Sequence, residues 1–237
     1  MNTKFRSASF TIAGSGKINE DSADFQIIGD DCVAVVADGV GGNYGGGVAS
    51  ALAVKEVIEL LTASPNSSIE QIFAAASRII KEKGNTDLIS NQMATTLSLC
   101  LVDSQQTAHV GHVGDSRIYH LRGKGIVQRT KDQTEVAALV EAGILSREQA
   151  KSYPRRTVLR SALSAKGTYE LFETTFPVAS GDRIILLTDG IYRLVTKSQL
   201  RDLSLSSTNI EELSRKIRAD ISNKNDDDAT LVIIEID

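Results

Sequence analysis

Tryptophan is missing from this sequence, and cysteine, histidine and proline are scarce, at two, three and three residues among 237. Two cysteines cannot make a disulfide scaffold. Cys32 and Cys100 each sit inside an apolar run (CVAVVA and LSLCLV) and read as small buried hydrophobes. His109 and His112 are three apart in strand-like sequence, so their side chains project to opposite faces, which is poor geometry for zinc. The prolines, Pro65, Pro154 and Pro177, are far apart, and there is no repeat or low-complexity tract. No stretch approaches the ~20 apolar residues of a membrane-crossing helix. Met1 to Ser15 lacks the charged-then-apolar pattern of a leader. Excess positive charge is absent too. A net charge of −4 sets up no field for nucleic acid or anionic lipid, although Arg155, Arg156 and Arg160 form a local basic cluster. The expected compartment is the cytoplasm.

What remains is ordinary for a globular chain: 41% apolar and 24% charged residues, enough for one well-buried core. Strand-like runs fall at Phe25–Ile28, Cys32–Ala37, Thr96–Val102, Ala108–Val113, Arg117–Leu121, Ile184–Leu187 and Thr230–Ile236. Helical periodicity follows Ser68 and Gln71, spaced as a capping box, through Ile80. It recurs over Val48–Leu61 and after Asn209, with shorter helices at Glu135–Ala142, Ser146–Lys151 and Lys197–Leu203. The apolar stripes of these helices are core.

Chemistry concentrates in acids at strand ends. CVAVVADGVGG runs an apolar strand into Asp38-Gly39, and RIILLTDG does the same at Asp189-Gly190. Each Asp-Gly alone also reads as a turn. The last strand is different, because Asp226, Asp227 and Asp228 precede it. If it lies antiparallel to the other two, all these acids meet at one edge of the sheet. Such clustering needs a counter-charge, and all-oxygen ligands favour Mg²⁺ or Mn²⁺ over zinc. Gly39, without a side chain, would let a backbone carbonyl approach a metal. Asn19-Glu20-Asp21, after a Gly-rich turn, and Gly114-Asp115-Ser116-Arg117, read as a hairpin turn, add further carboxylates.

In order, Asn19-Glu20-Asp21, Asp38-Gly39-Val40-Gly41-Gly42, Gly114-Asp115-Ser116-Arg117, Thr188-Asp189-Gly190 and Asp227-Asp228-Ala229-Thr230 resemble the motifs of the PP2C family of metal-dependent serine/threonine phosphatases. The resemblance runs from about Phe5 to Ile236. It implies an α+β fold, a four-layer α-β-β-α sandwich of two packed, mainly antiparallel sheets. It also implies a single domain over residues 1–237, with a flap around 144–166. Asp38 would bridge two metals, and the Gly39 carbonyl would join one. Asp189 and Asp227 would complete the first site, and Glu20 and Asp21 would hold waters on the second. Asp115, with Asp189, would bind a third ion. The implied catalytic set is Asp38, Asp189 and Asp227. The implied reaction is hydrolysis of phosphoserine and phosphothreonine in proteins by a hydroxide bridging Mn²⁺ or Mg²⁺, reversing a cognate Ser/Thr kinase. The protein would act as a monomer, without nucleic acid or a membrane span. Two alternatives share the resemblance: a non-catalytic phosphoprotein-binding member, and a phosphatase dedicated to anti-anti-sigma-type regulators.

The sequence departs from the family pattern in places. An arginine usually precedes Asn-Glu-Asp to grip phosphate, and the nearest cation here is Lys17, a point charge without the guanidinium fork. Val40 stands where many eukaryotic members carry histidine, leaving His112 as a substitute proton donor. Asp228 replaces a common Asn, where its charge would either tighten metal binding or be solvated. A P-loop at Gly16-Lys17 lacks its first glycine and its Ser/Thr. Gly45-Gly46-Gly47 misses the last glycine of a dinucleotide fingerprint and reads as a tight loop before the helix from Val48. Asp226 to Thr230 matches Asp-x-Asp-x-Thr but precedes its strand rather than following one.

Overall fold

The long apolar runs mark strands whose two faces are both covered. A computed structural model describes residues 5–40, 45–85, 92–222, 224 and 226–237; Gly41 and Gly42 of the Asp-Gly motif lie outside them. Seven helices and thirteen strands follow one another among these residues. The strands are β1 (Phe5–Ile12), β2 (Ser22–Ile28), β3 (Asp31–Ala37), β4 (Gly39–Val40), β5 (Ala94–Thr95), β6 (Leu97–Val102), β7 (Thr107–Val113), β8 (Arg117–Arg122), β9 (Gly125–Gln128), β10 (Leu163–Ser164), β11 (Phe172–Pro177), β12 (Arg183–Leu187) and β13 (Ala229–Ile236). The helices are α1 (Gly45–Ala63), α2 (Ile69–Gly84), α3 (Glu135–Glu141), α4 (Arg147–Lys151), α5 (Asp189–Tyr192), α6 (Lys197–Leu205) and α7 (Ile210–Ile221).

Two five-stranded antiparallel sheets, ordered β1-β13-β12-β8-β9 and β11-β7-β6-β3-β2, pack face to face, and β10-β5-β4 forms a small third sheet. Alternation sorts the side chains into three cores. Cys32, Ala34 and Val36 point between the sheets with Ile184, Leu186, Val232 and Ile234. Val33, Val35 and Ala37 point the other way, onto Ala53, Val57, Ile72 and Phe73 of α1 and α2. Leu187, Leu231 and Ile233 likewise pack on Leu200 of α6 and on Leu213 and Ile217 of α7. The result is the α-β-β-α layering expected. Both cysteines are fully buried and free, filling space as small hydrophobes.

Caps fix the helix starts. Ser68 accepts from the Gln71 backbone while the Gln71 side chain accepts from Ser68 N–H, completing the expected capping box. Asn209 caps α7 through Glu212 N–H at 2.8 Å, while the Glu212 carboxylate turns back to Thr208. The glycines at 45 to 47 are not a loop before the helix; they form the first turn of α1.

Candidate metal centre

Asp38 leaves β3 with its backbone pinned on both sides. Its N–H donates to Thr96 Oγ1 at 2.9 Å, and its carbonyl accepts from Thr96 N–H and Thr95 Oγ1, each at 2.9 Å. The chain then enters β4, where Gly39 lies against the first turn of α1. A Cβ there would be driven into the Gly46 backbone and to 2.5 Å from the Glu20 carbonyl, so only glycine fits.

The expected antiparallel juxtaposition is present between β12 and β13. It places Asp189, just after β12, beside Asp227, just before β13. Asp38 does not share their sheet. It arrives from β3 of the facing sheet, so the acids gather at one end of the sandwich rather than along one sheet edge. Asp115 also corrects the sequence reading. Its turn is no hairpin, because β7 and β8 belong to different sheets, and the segment carries the chain from one sheet to the other. Gly114 makes that crossing with φ +112, close against Thr96.

Charge and burial oppose each other at this end. Burial first, then the charges of Asp21, Asp189, Asp115 and Asp227, hold the Asp38 carboxyl well above the usual carboxylate range. Burial likewise pushes Asp21 and Asp115 up to about 7. Asp189 rises to about 6, again chiefly by burial, with Arg193 working against the shift. Asp21 Oδ2 accepts from Thr188 Oγ1 at 2.8 Å, whereas Asp21 Oδ1 is buried without a partner. Tyr192 donates to Asp115 Oδ2 at 3.2 Å, and the Arg117 guanidinium lies 3.7 Å over the Tyr192 ring.

Glu20 sits at the rim, where its Oε1 accepts from Gly47 N–H at 3.3 Å in the first turn of α1. Lys17 donates to Asp227 Oδ1 at 3.0 Å. Lys17, Ile18, Glu20, Asp38, Gly39 and Asp227 are among the residues lining a cleft of about 660 Å³.

Among the described residues, no three His, Cys, Asp or Glu side chains are gathered tightly enough to hold an ion as they stand. Instead Arg193 pairs with Asp189 Oδ2 and donates to Asp227 Oδ2 at 3.1 Å. The donor set nonetheless fits a hard divalent cation. It consists of carboxylates and a glycine backbone, Asp21, Asp115 and Asp189 are buried, the acids repel one another, and one of their oxygens has no partner.

Three features of this end were not read from the sequence. Arg193 is four residues past Asp189, a spacing that matters only once α5 is known to be a helical turn. Thr188 links Asp21 to Thr230 N–H, which donates to its hydroxyl at 3.0 Å. Asp228 is buried rather than solvated. Its oxygens accept from Gly14 N–H at 2.9 Å and Glu20 N–H at 2.7 Å, clamping the loop between β1 and β2. His112 is not poised to give a proton. It is fully buried, with Ser98 Oγ at 2.8 Å from Nδ1 and the Gly114 and Lys131 carbonyls at 2.9 and 3.1 Å from Nε2. Two carbonyl acceptors require a proton on Nε2, and burial, which pushes the ring's pKa down to about 4, keeps it neutral and structural.

Known proteins resemble this chain in sequence and fold. Residues 12–225 match the family model described as protein phosphatase 2C. The serine/threonine phosphatase stp of Listeria welshimeri is 30% identical over 230 residues, covering 92% of this chain and 90% of its own length. A crystal structure of the Mycobacterium tuberculosis serine/threonine phosphatase PstP/Ppp superposes with a TM-score of 0.87 at 27% identity, covering 98% of each chain. A structure of the catalytic domain of the phosphatase PstP in complex with two manganese ions gives 0.85 at 25% identity, covering 99% of each. By sequence over most of its length and by fold, this chain belongs to the protein phosphatase 2C family.

Proposed function

We propose that this chain is a single-domain phosphatase that removes phosphate from phosphoserine and phosphothreonine in proteins, using bound Mn²⁺ or Mg²⁺. The observation that carries the reading is the convergence of Asp21, Asp38, Asp115, Asp189 and Asp227, from both sheets, on one end of the sandwich. Carboxylates kept this close call for a positive charge. When bound, such ions supply Lewis-acid activation of water and charge neutralisation for the phosphoryl oxygens.

The chain's own residues divide the remaining work. Asp38 and the Gly39 carbonyl would hold metal together with Asp189 and Asp227; Glu20 and Asp21 would act through water, and Asp115 would serve a further ion with Asp189. The Thr95 and Thr96 clamp fixes the Asp38 backbone, so the carboxylate is presented without reorganisation. Lys17, at the cleft wall, offers its ammonium to the phosphate. With His112 sealed among carbonyls and Val40 at the site, the leaving oxygen takes its proton from water. The segment 144–166, beyond α3, acts as a flap over the substrate protein. The chain would oppose a Ser/Thr kinase in the cytoplasm.

The test is hydrolysis of an aryl phosphate and of a phosphothreonine peptide with Mn²⁺. Activity should stop with a chelator, and Asp38→Asn should lower kcat by at least about 100-fold, beyond what loss of an outer-shell partner costs. Parent-like turnover in Asp38→Asn would remove Asp38 from the site.

A further inference from the structure

The cation that joins Asp189 to Asp227 in this structure belongs to the protein. Arg193 sits one helical turn beyond Asp189, and its backbone N–H donates to Asp189 O at 3.0 Å as α5 ends. One of its terminal nitrogens pairs with Asp189 Oδ2. The other reaches Asp227 Oδ2 at 3.1 Å. A single guanidinium therefore spans two carboxylates delivered by neighbouring strands. These are the two acids assigned above to the first ion.

We infer that Arg193 is a built-in competitor for the metal centre: it holds Asp189 and Asp227 together as a resident counter-cation and must release them before an ion can be bound. The inference rests on the metal-centre reading given above. The physical reasons are three. Arg193 takes up one lone pair of each Oδ2 and sets a positive charge against both carboxylates, so an incoming cation meets a lost donor position and like-charge repulsion there. An arginine cannot relieve the competition by losing its proton, so it yields only by rotating away. It has somewhere to go, because its side chain is 35% exposed while that of Asp189 is 11% exposed. Lys17 cannot replace it in this role, since it touches only Asp227 Oδ1 and leaves Asp189 untouched by any contact described.

The consequence is a threshold. Without a metal, Arg193 offsets part of the charge on Asp189 and Asp227. With one, the affinity is lowered by the work of displacing the guanidinium, so loading would follow the free concentration of divalent ion.

The decisive measurement is Mn²⁺ binding by electron paramagnetic resonance on chelator-stripped protein, for the parent, Arg193→Gln and Arg193→Lys, with thermal unfolding alongside. Arg193→Gln is expected to bind its tightest Mn²⁺ about tenfold more tightly than the parent, with Arg193→Lys between them. Arg193→Gln should also melt lower without metal and gain more on saturation than the parent does. If Arg193→Gln does not fold without metal, Arg193→Lys carries the test, since it keeps the charge but not the fork. Equal or weaker Mn²⁺ binding in the variants would overturn the inference while leaving the metal centre intact. No binding by any of the three proteins would overturn both.

Discussion

Removing the Asp228 carboxylate should destabilise the fold by an amount that its hydrogen bonds set. Asp228 is buried, and its two oxygens take the Gly14 and Glu20 backbone N–H groups at 2.9 and 2.7 Å. A hydrogen bond to an ionised acceptor contributes about 1.5–3 kcal/mol. Gly14 is itself buried, so its N–H would be orphaned in Asp228→Ala, at a cost of about 2 kcal/mol. Glu20 lies nearer the surface, where water can replace part of the loss, leaving about 1 kcal/mol. The total of about 3 kcal/mol corresponds to a fall in Tm of about 6–12 °C in a domain of this size. Asp228→Asn keeps one good acceptor and should lose about half as much. The assay is calorimetric unfolding in excess chelator, so that metal binding does not mask the difference. An Asp228→Ala protein melting within about 2 °C of the parent would refute the clamp.

Two further outcomes follow from other residues. Burial pushes the His112 pKa down from 6.5 to about 4, so as pH falls the unfolded chain takes up the proton first. Stability from this group is complete above about pH 6.5 and declines towards pH 4, by about 2 kcal/mol at pH 5. Urea unfolding at pH 7 and pH 5 should therefore show a smaller pH effect in His112→Gln, and an equal effect in both proteins would contradict the buried neutral ring. Lys17→Ala should raise KM for a phosphopeptide about fivefold, the worth of one exposed charge contact of about 1 kcal/mol, with kcat less affected. An unchanged KM would return Lys17 to its single contact with Asp227.

Much of the fold was legible because its strands are covered on both faces. CVAVVA is apolar at every position, and the run ending at Ile236 at all but Thr230 and Glu235, because alternate residues serve different cores. Edge strands were harder to see. In β1, Phe5, Ala8, Phe10 and Ile12 are diluted by serine and threonine, and β11 has the same character between Phe172 and Phe176. Alternation also does not say which sheet a strand joins. That is why the Asp115 segment resembled a hairpin, and why Asp38 was expected beside β13 rather than across from it. The acids themselves were legible as strand-end residues. Asp226, Asp227 and Asp228, by contrast, are identical in sequence, and only the positions of Gly14 and Glu20 make one of them a clamp. Arg193 carried no signal, because a cation near an acid is common on any helix.

The proposed ligands are divided between two sheets that share no backbone hydrogen-bond ladder among the described residues, and interdigitated side chains such as Val36, Leu186 and Val232 help to set the spacing between them. An ion drawing on both would act as a rivet across that seam. Remote changes that let the layers slide would therefore register first as altered ion affinity, well before the protein lost its shape.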